Sequence, residues 1–204
     1  MTKSIIITFA GLVAILITDF LPGVSAAPPP IYVCYFAHVE ESRNVQSLES
    51  YLKERREIRL FAEMMAENGV AFNLQPDWTF LSEVGLYDSG PVVEDTNGKN
   101  LIRYFNEDLG TAIDPHGHEV FGHNYADIAY LIESLGVTPS PVVGGFLYAP
   151  PDNYQNWERF FNPLSGTVYP WYSWSPSILC LGATAGHTGN DDSASGCWRM
   201  DSMY

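Results

Sequence analysis

The sequence predicts an α/β fold: a (β/α) barrel-like parallel sheet that is incomplete, followed by an irregular, aromatic-rich C-terminal segment. Two observations support this prediction. Apolar runs typical of buried strands alternate with amphipathic helical segments, which is the pattern of parallel βαβ units. Polar clusters follow the predicted strands, where parallel folds place their chemistry. Since about five strands are fewer than a complete barrel carries, we expect a fragment or an incomplete gene product.

The predicted strands are short apolar runs rich in β-branched and aromatic residues. The first, residues 31–37 (IYVCYFA), is apolar throughout, which predicts a strand covered on both faces. Cys34 lies inside this run and is expected to be a small buried residue that is unreactive in the folded protein. The other predicted strands are residues 70–74, 111–115, 141–147 and 177–183.

The predicted helices lie between these strands and carry apolar residues at helical spacing. Gly69 and Gly136 follow two of them and suit the left-handed position after a helix C-terminus. Residues 88–99 are rich in Gly, Pro, Asn and Asp, and are predicted to form a loop. The predicted helices are residues 44–68, 78–87, 101–109 and 124–135.

The N-terminus has the pattern of a secretory signal peptide, with a short basic start, an apolar run and small residues before the cleavage site. An uncleaved membrane anchor is the alternative, but Asp19 and Pro22 leave the apolar run short of the roughly 20 residues that a span needs. We therefore predict a signal peptide at residues 1–26. A single secreted or periplasmic domain at residues 27–204 follows, with no stable membrane insertion after cleavage.

Composition excludes several classes of protein and partner. Of the 204 residues, 46% are hydrophobic and 14% aromatic, which excludes a disordered chain. The formal net charge of −14 argues against nucleic acid or an anionic membrane surface as a partner, since both bind basic patches. The three cysteines are an odd number for disulfides; Cys180 and Cys197 could pair, but their spacing does not establish the bond.

Histidines and acidic residues are concentrated between residues 111 and 127, in TAIDPHGHEVFGHNYAD. His116 and His118 are two apart, so on an extended chain both side chains leave on the same face. Two neutral imidazoles and a carboxylate together provide a ligand set for zinc or a similar ion. This segment therefore predicts a metal site, with Asp114 as a catalytic candidate beside it. A solvated polar loop would have a similar composition.

Other predicted strands also end in polar residues, which a parallel arrangement would bring to one rim of the sheet. Carboxylates gathered there in a protein of net charge −14 would repel one another, and a bound cation would offset that repulsion. For the last cluster in the chain, a polar surface loop is an equal alternative. The residues concerned are His38, Glu40, Glu41, Asp77, His187 and Asp191.

Beyond residue 150 the chain is crowded with aromatic residues and has no helical period. Such rings could form platforms for carbohydrate, because the C–H faces of sugar rings stack on aromatic surfaces. Loops packed over one face of a barrel are the alternative. The predicted substrate-binding residues are Asp77, Trp78, Trp171 and Trp174.

The strand ends resemble those of the carbohydrate (polysaccharide) deacetylase family. Glu40 and Glu41 are similar to the Asp-Asp pair that ends the first strand in that family and supplies a base and a metal ligand. The run Ala112–His116 resembles the later strand that leads into the first metal histidine of the family. The resemblance covers about residues 31–147 and implies a distorted (β/α) barrel with a divalent metal ion.

The spacing of the histidines differs from the family pattern, in which the two metal histidines are four apart. Here His116 and His118 are two apart, and they are the preferred pair because they fit the predicted strand and helix boundaries. An alternative register uses His123 as the first ligand, with Asp127 in the place of the second histidine.

The resemblance implies a secreted hydrolase that deacetylates a polysaccharide with a metal-activated water. It assigns Glu40 as the base and Glu41, His116 and His118 as metal ligands. Asp114 and His187 complete the catalytic candidates. Two other functions stay open: a catalytically inactive carbohydrate-binding barrel protein, and a glycoside hydrolase with two carboxylates across a cleft. Carbohydrate is the expected partner in each case.

Overall fold

Three parallel strands with helical connections form the first part of the fold. In this computed structural model, which describes residues 33, 35–39, 44–119, 122–147, 157–182 and 196–199, the first three strands pair side by side in chain order. They are β1 (Tyr35–Val39), β2 (Phe72–Pro76) and β3 (Ala112–Ile113). The prediction of an α/β fold with a parallel sheet is confirmed.

Helices connect each of these strands to the next. Between β1 and β2 lies α1 (Leu48–Glu67), and between β2 and β3 lie α2 (Trp78–Tyr87), a 3-10 helix (Gly90–Thr96), α3 (Leu101–Arg103) and a π-helical segment (Tyr104–Asp108). After β3 comes α4 (Tyr125–Ser134). The single helix predicted over residues 101–109 is therefore an α-helical turn that widens into a π-helix.

Short polar side chains fix where the helices begin, by accepting hydrogen bonds from backbone N–H groups that have no partner inside the helix. Ser47 caps α1 by accepting from Ser50 N, and Asp77 caps α2 by accepting from Phe80 N at 2.9 Å. Asn124 and Asp127 form a reciprocal capping box at the start of α4.

The two faces of the parallel sheet have opposite character, because neighbouring residues of a strand point to opposite sides. Val39, Leu74 and Ile113 point into a core formed with the helices, and all three are buried. The residues next to them in the chain include the polar side chains of His38, Gln75 and Asp114. Register places His38 beside Gln75 on the face away from that core.

A second sheet follows α4. It comprises β4 (Val142–Leu147), β7 (Ile178–Gly182) and β8 (Gly196–Arg199), in that order, while β5 (Leu164–Ser165) and β6 (Ser173–Trp174) form a separate antiparallel pair. The strands β4 and β7 are parallel, β8 is antiparallel, and a disulfide joins Cys180 to Cys197 across β7 and β8. An isolated parallel bridge between His116 and Gly144 connects the two sheets.

The predicted barrel is seen only as these open sheets: the described strands do not close on themselves. The hairpin β5–β6 and the antiparallel strand β8 were not predicted. The prediction that both faces of the first strand are buried is wrong for the first two residues of β1. Tyr35 is 51% exposed and Phe36 is 46% exposed. The physical reason is that β1 is an edge strand, paired on one side only with β2 among the described strands.

Two predictions concern segments that the structure does not describe. The signal peptide at residues 1–26 and Cys34 both lie outside the described residues. Within the described part of the chain, none of the helices has the length and apolar character needed to cross a membrane.

A buried ion-pair network fastens α1 to the segment before α3. Arg55 is 3% exposed and contacts Asp88 at 2.9 Å and Asp95 at 2.8 Å. Asp88 also accepts from the hydroxyl of Tyr51 at 2.7 Å and from the backbone N–H of Leu101 at 2.6 Å. Burial lowers the pKa of the Arg55 guanidinium, but its bonds to the two carboxylates outweigh burial and raise that pKa. The buried guanidinium of Arg55 and the carboxylate of Asp88 therefore have hydrogen-bond partners inside the fold.

Replacing Arg55 with Met should lower the free energy of unfolding by about 3–5 kcal/mol, because the buried Asp88 carboxylate loses its counter-charge. Urea denaturation of the two proteins measures this difference. Arg103→Met is the matched control, since Arg103 pairs with Glu107 on the surface and its loss should have a much smaller effect. A loss for Arg55→Met no larger than that of the control would show that the network does not stabilise the fold.

Candidate functional site

A row of polar side chains crosses the face of the parallel sheet that points away from the helical core. His38 comes from β1, Gln75 from β2, and Asp114 and His116 from the residues that directly follow β3. These positions lie at the carboxyl ends of the strands. The row therefore occupies the rim where parallel α/β folds place their ligand sites.

Asp114 is the buried centre of this row, with no exposed surface. One carboxylate oxygen accepts from Asn73 at 3.2 Å and from Gln75 at 3.1 Å, and the other accepts from the Ser140 hydroxyl. The carboxylate thus connects β2 to the segment that precedes β4. This bonding suits a residue that positions its neighbours, whereas the sequence placed Asp114 among the catalytic candidates.

Three imidazoles form a cluster centred on His116. The ring centroid of the fully buried His116 is 4.4 Å from that of His38 and 5.4 Å from that of His118. The structure therefore brings together the two histidines that the sequence predicted to share a face. His38 was absent from the predicted ligands, although its position in the polar residues ending β1 was a usable signal.

The Gly144–Gly145 backbone of β4 orients two of these rings. Nδ1 of His118 lies 2.8 Å from the carbonyl oxygen of Gly145. A carbonyl can only accept, so Nδ1 carries the proton, and in the neutral ring Nε2 holds the lone pair. A Cβ at Gly145 would lie 2.5 Å from Cε1 of His116, and Gly145 has φ +75°, so glycine is required on both counts.

This donor chemistry is compatible with a divalent metal ion. A metal-binding histidine usually donates its second ring N–H to a carbonyl or carboxylate, as His118 does to Gly145. Across the residues that the structure describes, however, no group of three or more His, Cys, Asp or Glu side chains is arranged to hold a metal. The predicted third ligand, Glu41, and the predicted base, Glu40, lie outside the described residues.

The residues of the alternative register have other partners. His123 stacks on Trp78, with ring centroids 4.6 Å apart and an interplanar angle of 3°. Asp127 is fully buried and accepts hydrogen bonds from the backbone N–H groups of Asn124, Thr167, Val168 and Tyr169. Both residues of the alternative register are thus engaged by other parts of the fold.

The predicted substrate-binding residues are found in three different settings. Asp77 is buried as the cap of α2, and Trp78 begins that helix against His123. Trp171 is 72% exposed. Trp174 is half-buried and packs against a second core formed by Tyr125, Val143, Phe146, Phe160 and Leu179. The remaining predicted site residues, His187 and Asp191, lie outside the described residues.

Comparisons of the chain with models of known protein families, with curated proteins and with solved structures give no match. Function therefore has to be inferred from the residues and their geometry.

A small polar cavity of about 20 Å³ lies beside the ends of β1 and β2, large enough for one water molecule. The fully buried Glu83 lines it: Oε1 accepts from Gln46 N at 2.6 Å, and Oε2 has no hydrogen-bond partner among the described residues. Burial raises the pKa of the Glu83 carboxyl. The carboxylates of Glu54 and Asp77 raise it further, while the Gln46 N–H lowers it.

The variant Glu83→Gln should be more stable relative to wild type at neutral pH than it is at acidic pH. The pKa of Glu83 in the folded protein lies above the unfolded value of about 4.3, so the folded state binds the proton more tightly. Its contribution to stability is complete below about pH 4.3 and is lost as pH rises through the folded pKa. Glutamine stays neutral and keeps an oxygen for the Gln46 N–H.

Thermal unfolding of wild type and variant at about pH 4.5 and pH 7 measures this effect. The Tm of the variant should rise relative to that of wild type as the pH rises. Each kcal/mol of difference in the free energy of unfolding corresponds to about 2–4 °C in Tm. Glu57→Gln, at an exposed position of α1, should show no such gain. A Glu83→Gln protein whose Tm difference from wild type is the same at both pH values would contradict the assignment.

Proposed function

We propose that the histidine cluster is the centre of a secreted, metal-dependent hydrolase that removes an acyl group, most simply acetyl, from a carbohydrate. The observation that supports this most strongly is the contact of His38, His116 and His118 at the carboxyl rim of a parallel sheet. Three imidazoles seldom gather for packing alone, because each carries polar nitrogens that must be satisfied.

In this proposal His116 and His118 are the histidine ligands and Glu41 is the third. The Gly145 carbonyl fixes the tautomer of His118, so that its Nε2 presents a lone pair. Asp114 holds Gln75 and Ser140 in place around the fully buried His116 and has a positioning role. When bound, a divalent ion supplies Lewis-acid polarisation of the acyl carbonyl and acidifies a water molecule.

The remaining steps need a base and an acid from the chain. Glu40, next to Glu41 at the end of the first strand, is the proposed base that takes the proton of the attacking water. His38 is the proposed acid that returns a proton to the departing sugar atom, because it is exposed and in ring contact with His116. His187 is the alternative acid that the sequence provides.

The proposed compartment and substrate rest on the sequence. The signal-peptide pattern at residues 1–26 supports export, and the aromatic C-terminal segment supports carbohydrate over other acylated molecules. The net charge of −14 disfavours polyanionic substrates.

The double variant His116→Ala/His118→Ala should lose divalent-metal binding altogether, because both histidine ligands are removed. Isothermal titration of the secreted protein with Zn²⁺, Co²⁺, Ni²⁺ and Mn²⁺ measures this. In wild type, affinity should weaken as the pH is lowered, because an imidazole binds a metal only in its neutral form. His123→Ala is the matched control and should keep most of the affinity, since His123 stacks on Trp78 instead.

Two outcomes would contradict the metal assignment. If His123 is essential and His118 dispensable, the alternative register with Asp127 is correct. If wild type binds none of the four ions, the centre is not a metal site, and a carbohydrate-binding protein without hydrolytic activity is the better proposal. Release of acetate from acetylated oligosaccharides, without new reducing ends, distinguishes deacetylation from glycoside hydrolysis.

A further inference from the structure

A continuous series of aromatic rings runs from the end of β2 to the loop before β6. Trp78 stacks on His123, whose centroid is 6.4 Å from that of Tyr169. The Tyr169 ring is in turn 5.7 Å from Trp171 and 4.3 Å from Tyr130. We call these five residues the aromatic track. It begins two residues after β2 and ends at the highly exposed ring of Trp171.

The loop that carries the outer end of the track is held rigidly by a buried carboxylate. Asp127 accepts from the backbone N–H groups of Thr167, Val168 and Tyr169, at 2.9–3.0 Å. The hydroxyl of Tyr172 donates to Glu133 at 2.5 Å, which anchors the same loop to α4. The rings are therefore set in place before any ligand arrives, so binding costs little additional ordering.

Two polar atoms on the inner end of the track are buried without partners. Among the described residues, neither Nε1 of Trp78 nor Nδ1 of His123 has a hydrogen-bond partner. Buried polar groups are normally satisfied, and a buried water molecule is one way to satisfy atoms that a surface ligand cannot reach. The ring faces of the track, rather than these two nitrogens, are therefore the part that a ligand could contact.

We propose that the aromatic track binds an extended, uncharged polysaccharide chain. The C–H faces of sugar rings stack on aromatic surfaces, which the exposed ring of Trp171 and the half-buried rings of the other track residues provide in a row. The net charge of −14 and the carboxylate of Glu133 at the margin of the track disfavour nucleic acid and acidic polysaccharides. This inference takes the class of substrate from the proposed function, and it adds the surface on which that substrate would bind.

Trp171→Ala should weaken binding to insoluble neutral polysaccharides such as cellulose, xylan or chitin about tenfold, through loss of one stacking contact. Depletion assays on the secreted protein measure this, with a chelator present so that binding is read independently of any metal. Trp198→Ala is the matched control, because Trp198 is an exposed indole on β8, outside the track, and its loss should leave affinity unchanged.

His123→Phe tests the inner end of the track. Phenylalanine keeps a ring against Trp78 but removes the polar edge of the half-buried imidazole, so affinity should fall severalfold while the Tm changes little. This variant keeps the proposal testable if Trp171→Ala were to fold poorly.

Three results would overturn the inference. Wild type could bind none of the polysaccharides, or Trp171→Ala and His123→Phe could both bind like wild type. Sedimentation could instead show that wild type self-associates through Trp171 and that the Ala variant is monomeric, which would make the track a contact between copies. Polysaccharide binding in chelator, combined with failure of metal titration and acetate release, would leave this inference standing while the proposed hydrolase fails.

Discussion

The fold depends on one close approach, between the imidazole of His116 and the Gly144–Gly145 backbone. A Cβ at Gly144 would lie 3.0 Å from Nδ1 of His116, a tight contact, and 2.5 Å from Oε1 of Gln75, which would have to move. Two glycines in succession therefore let β4 come beside the end of β3 while His116 stays buried. Because the bridge at Gly144 also joins the two sheets, the contact that links the halves of the fold fixes the histidine cluster.

Several acidic residues of this strongly negative protein are committed to the fold. The carboxylates of Asp88, Asp114 and Asp127 each have little or no exposed surface, and each accepts from several donors on different segments. Such bonding compensates the cost of burying a carboxylate. Net charge alone therefore cannot separate a metal-binding carboxylate from a structural one.

The sequence predicted what depends on local pattern and missed what depends on register across strands. The bounds of α2, Trp78–Tyr87, agree with the prediction because Asp77 is a strong cap at a clear change of periodicity. The parallel order of the first strands followed from alternation with helices. The antiparallel pairing of β8 and the contact of His38 with His116 depend on distant segments, and no spacing rule encodes them. The sequence allowed Asp127 to be a metal ligand, because it does not reveal the four backbone N–H groups that donate to this carboxylate.

Residues 75–78 couple the proposed centre to the aromatic track, because their side chains serve three different parts of the molecule. Gln75 donates to Asp114 in the polar row, Asp77 caps α2, and Trp78 begins the track against His123. The cap restrains the backbone between the other two, so the direction of α2 sets the position of the Trp78 ring relative to the row. A polysaccharide lying along the track would reach the rim of the sheet at Trp78. This residue follows Gln75 by three positions, and the Gln75 side chain donates to the buried Asp114. The geometry of α2 thus governs whether a bound chain and the histidine cluster can act together.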